Sequence, residues 1–270
     1  MQTRRAALRA FLEWSAEPTE ELRPEKNRVA VAAVCRGLNL PPIPYSRFLG
    51  ADCWLAGGSV LRWLCGEESE VPATKGDFDF FFPSVEALNA TARAMLAEGF
   101  QLRGYRAFAR TIREYLRGAL IEGTGSEICD ESGNLAPLTP ELVKRLRLSY
   151  LELCSPQGDR VQLVAFFQPT PLATIRRFDL SVCQLIVDAE HLRFGPWTRS
   201  DLMCNRDHVV EIRWPVATFQ RVFRYARRGF RPNPTTVFKV SCSLLVYLLA
   251  TLPPYFFRLC ARRFTRRRGR

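Results

Sequence analysis

The stretch that decides the fold is CWLAGGSVLRWLCG, residues 53–66. Its opening residues are apolar and predict a short buried strand. Gly57-Gly58 then predicts a tight turn, because glycine adopts backbone angles that other residues avoid. The apolar residues that follow recur at helical spacing, so the motif predicts a strand, a turn and a helix in succession.

A second motif, GDFDFFFPS, lies at residues 76–84 and alternates acidic and aromatic side chains. Because successive side chains of a strand point to opposite faces, this spacing predicts that Asp77 and Asp79 lie on the same face. Ser84 is a favourable helix N-cap, and Gly99 stands where the end of that helix is expected. The motif therefore predicts an acidic strand followed by a helix.

Strand patterns dominate the middle of the chain. Residues 146–167 predict a β-hairpin around a turn that contains proline and glycine, and residues 178–188 (FDLSVCQLIVD) predict a further strand. Helical patterns occur in the first fifty residues and again in residues 215–228. This order predicts an α+β fold, in which helical N- and C-terminal additions flank a core built on a mixed β-sheet.

These patterns divide the chain into four parts. The last part contains residues 240–257, which carry no charge, followed by Arg258 and further arginines. Three interpretations of it stay open: a packed helix with a solvated basic tail, a segment at or in a membrane, and a nucleic-acid-binding tail. The four predicted parts are an N-terminal helical segment (1–50), the core (51–190), a helical extension with a basic helix (191–232), and an apolar helix with an arginine-rich tail (233–270).

Composition narrows the classes of function. The net charge of +12 at pH 7 indicates a polyanionic partner, such as nucleic acid, a nucleotide or anionic lipid. The two histidines, His191 and His208, are too few for a three-histidine zinc site and do not form an H-E-x-x-H motif. Nine cysteines without a C-x-x-C pair indicate neither a disulfide framework nor a zinc ribbon and favour a reducing, cytoplasmic compartment.

The glycine turn and the acidic strand together suggest phosphate chemistry. Gly57-Gly58 lets the backbone approach a phosphate closely, and Ser59 and the N–H groups of the helix start can donate hydrogen bonds to it. Carboxylates at Asp77 and Asp79 are oxygen ligands of the kind that Mg²⁺ prefers. A phosphate cradle beside paired carboxylates is the arrangement that metal-assisted nucleotidyl transfer requires.

The two motifs resemble the signature of the DNA polymerase beta-type nucleotidyltransferase superfamily. Together with RFDLSVCQLIVD and FQRVFRYARRGF, they are similar to stand-alone nucleotidyltransferase-like proteins of phages and bacteria, which are distantly similar to the head domain of tRNA-nucleotidyltransferases. The resemblance covers residues 54–230. It implies an enzyme that uses Mg²⁺ or Mn²⁺ to move a nucleotidyl group from a nucleoside triphosphate, ATP among them, to a hydroxyl group with release of pyrophosphate. The acceptor stays open among an RNA end, a protein and a small molecule.

The resemblance also assigns the motif residues. It implies that Gly57, Gly58 and Ser59 hold the triphosphate. It further implies that Asp77 and Asp79 are catalytic and bind the metal ions.

A third carboxylate normally completes this metal site. The residue at the place where such enzymes often carry it is Gln162, which is neutral and a poor metal ligand. We therefore predict that Asp179, which has apolar neighbours in a predicted strand, is the third catalytic and metal-binding carboxylate. Glu152 and Asp188 are weaker candidates.

Arginines complete the predicted nucleotide site. Arg62 follows the glycine turn, one position later than the arginine of the arginine–aspartate pair found in tRNA-nucleotidyltransferases. Arg221, Arg224 and Arg228 lie on the predicted basic helix and are candidates to bind the triphosphate or an RNA backbone. A solvated helix face is the alternative interpretation of these arginines.

Two other functions stay open at the level of sequence. One is a catalytically silent member of the fold that binds nucleotide or nucleic acid through the basic helix and tail. The other is a membrane-associated effector that uses residues 240–257 to reach a lipid surface.

Overall fold

The computed structural model describes most of the chain from Arg28 onward. The described residues are 8, 10 and 12, and residues 28–66, 77–109, 120–123 and 125–251. Most of the predicted N-terminal helical segment before Arg28 therefore lies outside the described residues. So do residues 252–270, which contain the end of the uncharged stretch and the arginine-rich tail.

Strands and helices are interspersed along the described part of the chain. The strands are β1 (Arg28–Ala30), β2 (Trp54–Ala56), β3 (Phe78–Phe81), β4 (Gln101–Phe108), β5 (Leu120–Gly123), β6 (Leu148–Cys154), β7 (Arg160–Val164), β8 (Leu185–Val187), β9 (His191–Phe194), β10 (Arg206–Asp207) and β11 (Arg231–Pro232). The helices are α1 (Val31–Leu38), α2 (Gly58–Cys65), α3 (Val85–Ala97), α4 (Pro140–Leu146), α5 (Pro171–Ile175), α6 (Thr198–Cys204), α7 (Pro215–Arg227) and α8 (Pro234–Thr251).

One large mixed sheet organises the fold. Within the described residues it has nine strands in the order β1-β9-β8-β2-β3-β7-β6-β4-β5. Strands β3 and β7 are parallel, and every other pair of neighbours in this sheet is antiparallel. Strands β10 and β11 pair separately. The α+β fold with a mixed sheet, predicted from the sequence, is confirmed.

Both sequence motifs form the predicted elements. Gly57 has a φ of 80° and a ψ of −140°, angles that favour glycine, and α2 begins immediately after it. The Ser84 side chain accepts a hydrogen bond from the backbone N–H of Ala87 and caps α3. Gly99, with a φ of 86°, follows the end of α3. Local chemistry thus fixes the two helices that flank the acidic strand.

The two faces of β2 and β3 bury different apolar clusters. Leu55 and Phe80 belong to the main core, and both are fully buried. On the other face, Trp54, Ala56 and Ile186 form a smaller cluster that also includes Ile175 at the end of α5. Burial of apolar side chains such as these stabilises the fold by about 1.5–3 kcal/mol each. The central strands are therefore held rigidly from both sides.

Two short strands of the main sheet lie where helices were predicted. Residues Arg28–Ala30, within the predicted N-terminal helical segment, form β1 and pair with His191–Arg193 of β9. Strand β9 in turn opens the part predicted as a helical extension, although it belongs to the main sheet. A three-residue strand carries little periodicity, and its pairing depends on a partner far away in sequence. The boundary predicted after residue 190 therefore falls between two paired strands, β8 and β9.

The strand predicted for residues 178–188 is also shorter than expected. Leu180 makes an isolated bridge to Val209, and residues 181–183 form a 3-10 turn. Only Leu185–Val187 is strand. Asp179, predicted to lie on this strand, precedes the turn instead. An unbroken run of apolar residues does not distinguish a strand from a buried turn.

The last described helix, α8, exposes apolar side chains. Val237, Phe238, Leu245 and Val246 are all exposed, and Phe238 retains 70% of its accessible surface. Val240 and Thr236 are buried on the opposite side of the helix. None of the helices in the described part of the chain combines the length and the apolar character that crossing a membrane requires.

Replacement of Phe80 tests the assignment of the main core. Phe80→Ala should lower the free energy of unfolding by about 3–5 kcal/mol, because the fully buried ring leaves a cavity. The matched variant Phe238→Ala should change it by less than about 1 kcal/mol, because that ring is exposed. Urea unfolding followed by circular dichroism measures both. Equal losses in the two variants would contradict this core.

Candidate active site

The acidic motif places two carboxylates at the end of the parallel strand pair. Asp79 lies in β3, in register with Ala56 of β2 and Gln162 of β7, and Asp77 immediately precedes β3. Burial, and next the negative charge of Asp77, raise the pKa of Asp79 to about 7, although nearby arginines act in the opposite direction. The two carboxylates therefore lie close enough to repel each other.

Arginine side chains surround this pair. The Arg62 guanidinium of α2 donates a hydrogen bond of 3.1 Å to the backbone carbonyl of Asp77. Burial lowers the pKa of Arg62, and the positive charge of Arg228 lowers it further. Arg62 and Arg228 therefore approach each other beside the carboxylates. Like charges held together in this way favour the binding of an anion.

A third arginine, Arg160 of β7, contacts the pair from the neighbouring strand. Its Nε lies 3.4 Å from Asp77 Oδ1, and one terminal nitrogen donates a hydrogen bond of 2.9 Å to Glu152 Oε2 on β6. Arg106 of β4 lies 3.9 Å from the same Glu152 oxygen and pairs with Glu122 of β5 at 2.9 Å. Side chains of alternating charge therefore form a row across the sheet, from Glu122 of β5 to Asp77.

The glycine turn meets α7. A Cβ atom on Gly58 would lie 2.9 Å from the Tyr225 hydroxyl, and one on Gly57 would lie 3.0 Å from the Phe178 ring. The glycines therefore allow both rings to approach the start of α2. The buried Ser59 hydroxyl donates a 3.3 Å hydrogen bond to the Ala56 carbonyl, so in this structure it bonds to the backbone. The first-turn N–H groups of α2 remain the expected donors to a phosphate.

Helix α7 presents one face to this region. Arg221 lies near enough to lower the pKa of Asp79, and the Arg228 guanidinium lies 5.3 Å from the centre of the Tyr225 ring. Arg224, predicted as a nucleotide ligand, is exposed beside this face. The structure therefore places Arg62 and Arg221 close enough to act on Asp79. Arg228 lies close enough to act on Arg62, whereas Arg224 is exposed.

Asp179 has a different environment from the one predicted. Its buried carboxylate forms an ion pair with Arg221 and accepts a 2.7 Å hydrogen bond from the Thr218 hydroxyl. It thus attaches α7 to the body of the domain. Neither of these partners was predicted from the sequence.

The carboxylate pair fits a magnesium ion even without Asp179. No group of three His, Cys, Asp or Glu side chains that could hold a metal ion is found in the described part of the chain. Magnesium usually takes only one or two protein carboxylates and completes its shell with phosphate oxygens and water. Asp77 and Asp79 supply that number of ligands, and a divalent cation would relieve their repulsion. Mn²⁺ has the same preference for oxygen.

Comparison with protein families identifies the chain. The sequence model described as "Gabija anti-defense 2 family protein" matches residues 42–203, which span β2 to β9. The chain belongs to the Gabija anti-defense 2 family. No curated protein sequence matches it.

Solved structures of CCA-adding enzymes share the fold of this Gabija anti-defense 2 family member. One, with CTP, has a TM-score of 0.50 and 15% identity and covers 84% of this chain and 49% of that enzyme. Another, with ATP, has a TM-score of 0.50 and 17% identity, with the same coverage. The chain therefore spans about half the length of these enzymes, and the likeness supports the predicted nucleotidyltransferase-like fold.

Two residues at this site were missed in the sequence analysis. Arg160 is two residues from Gln162 on a predicted strand. Because side chains two residues apart in a strand lie on the same face, the sequence pattern places both residues on one face. Tyr225 lies four residues after Arg221 and three before Arg228, which is the spacing of one helix face. Both signals were present in the sequence of this family member.

The raised pKa of Asp79 gives a pH-dependent prediction. Near pH 8 its carboxyl is ionised in the folded chain at a free-energy cost, because the folded pKa is raised; below about pH 4 it is protonated in both states. Asp79→Asn should therefore raise the free energy of unfolding by about 1–3 kcal/mol near pH 8, and much less near pH 4. Urea unfolding without divalent ions measures the difference. An equal change at both pH values would contradict the assignment.

Proposed function

We propose that this chain is a Mg²⁺-dependent nucleotidyltransferase that moves a nucleotidyl group from a nucleoside triphosphate to a hydroxyl acceptor, with release of pyrophosphate. One observation carries the proposal: the carboxylates of Asp77 and Asp79 lie close together, within reach of the positive charges of Arg62 and Arg221. Arg228 lies close to Arg62. Two carboxylates amid several guanidinium groups form a mixed-charge site, which suits a metal ion together with a polyphosphate.

Each residue has a distinct role in this proposal. Asp77 and Asp79 hold the divalent ion, which when bound polarises the phosphoryl group and neutralises charge on the triphosphate. The start of α2 at Gly58 supplies backbone N–H groups to the phosphates. Arg62 and Arg228 neutralise phosphate charge in the same region.

Arg221 has two roles in the proposal. It neutralises phosphate charge beside Asp79, and its ion pair with Asp179 fixes the position of α7. Asp179 accordingly remains a proposed third carboxylate only if that ion pair opens.

The comparisons suggest which donors and acceptors to test and which biological role to propose. CTP and ATP are the first donors to test, because they are named in the complexes of the CCA-adding enzymes with the same fold. An RNA end is the first acceptor to test, with a protein hydroxyl as the second. We propose that the reaction counteracts Gabija defence, in accordance with the family description.

Label transfer tests the activity directly. The full chain incubated with labelled CTP or ATP, Mg²⁺ or Mn²⁺, and RNA or cell extract should transfer label to an acceptor. The Asp77→Ala/Asp79→Ala variant should transfer label at least about 100-fold more slowly, because the metal ligands are removed. Circular dichroism confirms that the variant is folded. Asp52→Ala, which replaces an exposed aspartate, is the matched control and should keep the rate of label transfer.

The alternative is a catalytically silent member of the fold. The neutral Gln162 in register with Asp79, and the ion pair that occupies Asp179, favour it. Such a protein would bind the triphosphate through Arg62 and Arg228 without transfer. Absence of transfer with every donor and acceptor, while Arg62→Ala still weakens triphosphate binding, would select this alternative.

A membrane contact is a second candidate function. It is favoured by the exposed apolar residues of α8 and by the arginines that follow α8 in the sequence. An apolar helix face beside a basic segment suits an anionic lipid surface.

Vesicle binding tests this contact. The full chain should sediment with vesicles that contain phosphatidylglycerol, and Val246→Glu should reduce the bound fraction several-fold, because the charge enters the apolar face of α8. The matched variant Val210→Glu, also at an exposed valine but outside α8, should not. Equal binding by both variants would contradict the contact.

A further inference from the structure

Arg160 lies among three carboxylates on one face of the sheet. Its guanidinium contacts Asp77 at 3.4 Å and Glu152 at 2.9 Å, and its charge also acts on Asp79. Asp77 precedes β3, Arg160 begins β7 and Glu152 lies in β6. The guanidinium therefore links side chains from three neighbouring strands. A cation is thus already present beside the proposed metal ligands.

The position next to Asp79 lacks the negative charge that a second metal ion would need. Gln162 is in register with Asp79 on one side and with Glu152 on the other, so its side chain lies between these two carboxylates on the same face. Gln162 is buried and neutral. An amide oxygen is a weaker ligand for Mg²⁺ than a carboxylate.

Glu152 is a further carboxylate on this face of the sheet, and Arg160 already pairs with it. Glu152 accepts a hydrogen bond from Arg160 and also lies 3.9 Å from Arg106. A divalent ion between Asp77 and Glu152 would have to displace the Arg160 guanidinium or approach it closely. Repulsion between the two cations opposes both arrangements.

We infer that Arg160 takes the place of a second metal ion, so that the site binds a single divalent ion, held by Asp77 and Asp79. This inference rests on the proposed function. In two-metal nucleotidyl transfer, the two ions stabilise the attacking and the leaving oxygens. With a single ion, the guanidinium of Arg160 supplies the second positive charge, but it cannot bind the acceptor hydroxyl as a metal ion does.

Mn²⁺ binding to the full chain, measured from the electron paramagnetic resonance signal of free Mn²⁺, tests the inference. The wild-type chain should bind one Mn²⁺, and the Asp77→Ala/Asp79→Ala variant none. Arg160→Ala should bind two, and adding Gln162→Glu to it should strengthen the second site by at least tenfold. Arg145→Ala, at an exposed arginine outside this face, should still bind one.

The outcomes separate the inference from the proposed function. Two ions on the wild-type chain, or one ion on both Arg160→Ala and the Arg160→Ala/Gln162→Glu variant, would overturn the inference alone. No ion on the wild-type chain, or one ion that persists in Asp77→Ala/Asp79→Ala, would overturn the proposed metal site and the inference with it. Circular dichroism verifies that each variant is folded. If Arg160→Ala does not fold, Arg160→Gln takes its place in the experiment.

Discussion

Repulsion between the carboxylates of Asp77 and Asp79 is the constraint on which the rest of the site depends. Asp79 lies in a strand that is fixed from both sides by apolar packing, and Asp77 immediately precedes that strand, so the backbone holds the two residues close together. The surrounding chain compensates with positive charge from α2, β7 and α7. A site of this kind costs stability when it is empty, which is common where a fold serves binding or catalysis.

Helix α7 connects this electrostatic centre to the packing of the domain. Asp179 fixes the helix through Arg221 and Thr218, and Tyr225 packs against Gly58. The same helix face therefore contributes both the attachment and the arginines. A change at Asp179 is expected to act on the site through the position of α7.

The sequence predicted the local elements well and the long-range ones poorly. The glycine turn before α2, the Ser84 cap and the hairpin of β6 and β7 depend on neighbours within a few residues, and all three are present. Strand β1 was missed because three residues show no periodicity and their partner lies in β9. The environment of Asp179 was missed for the same reason, since Thr218 and Arg221 lie about forty residues further along the chain. Arg160, by contrast, could have been found from the alternation in β7.

An experimental structure with Mn²⁺ and a non-hydrolysable CTP analogue tests the central claim most directly. The account predicts anomalous density for Mn²⁺ between Asp77 and Asp79, with the phosphates at the start of α2 and beside Arg62. Mn²⁺ density away from this pair, or a triphosphate bound elsewhere on the chain, would contradict it.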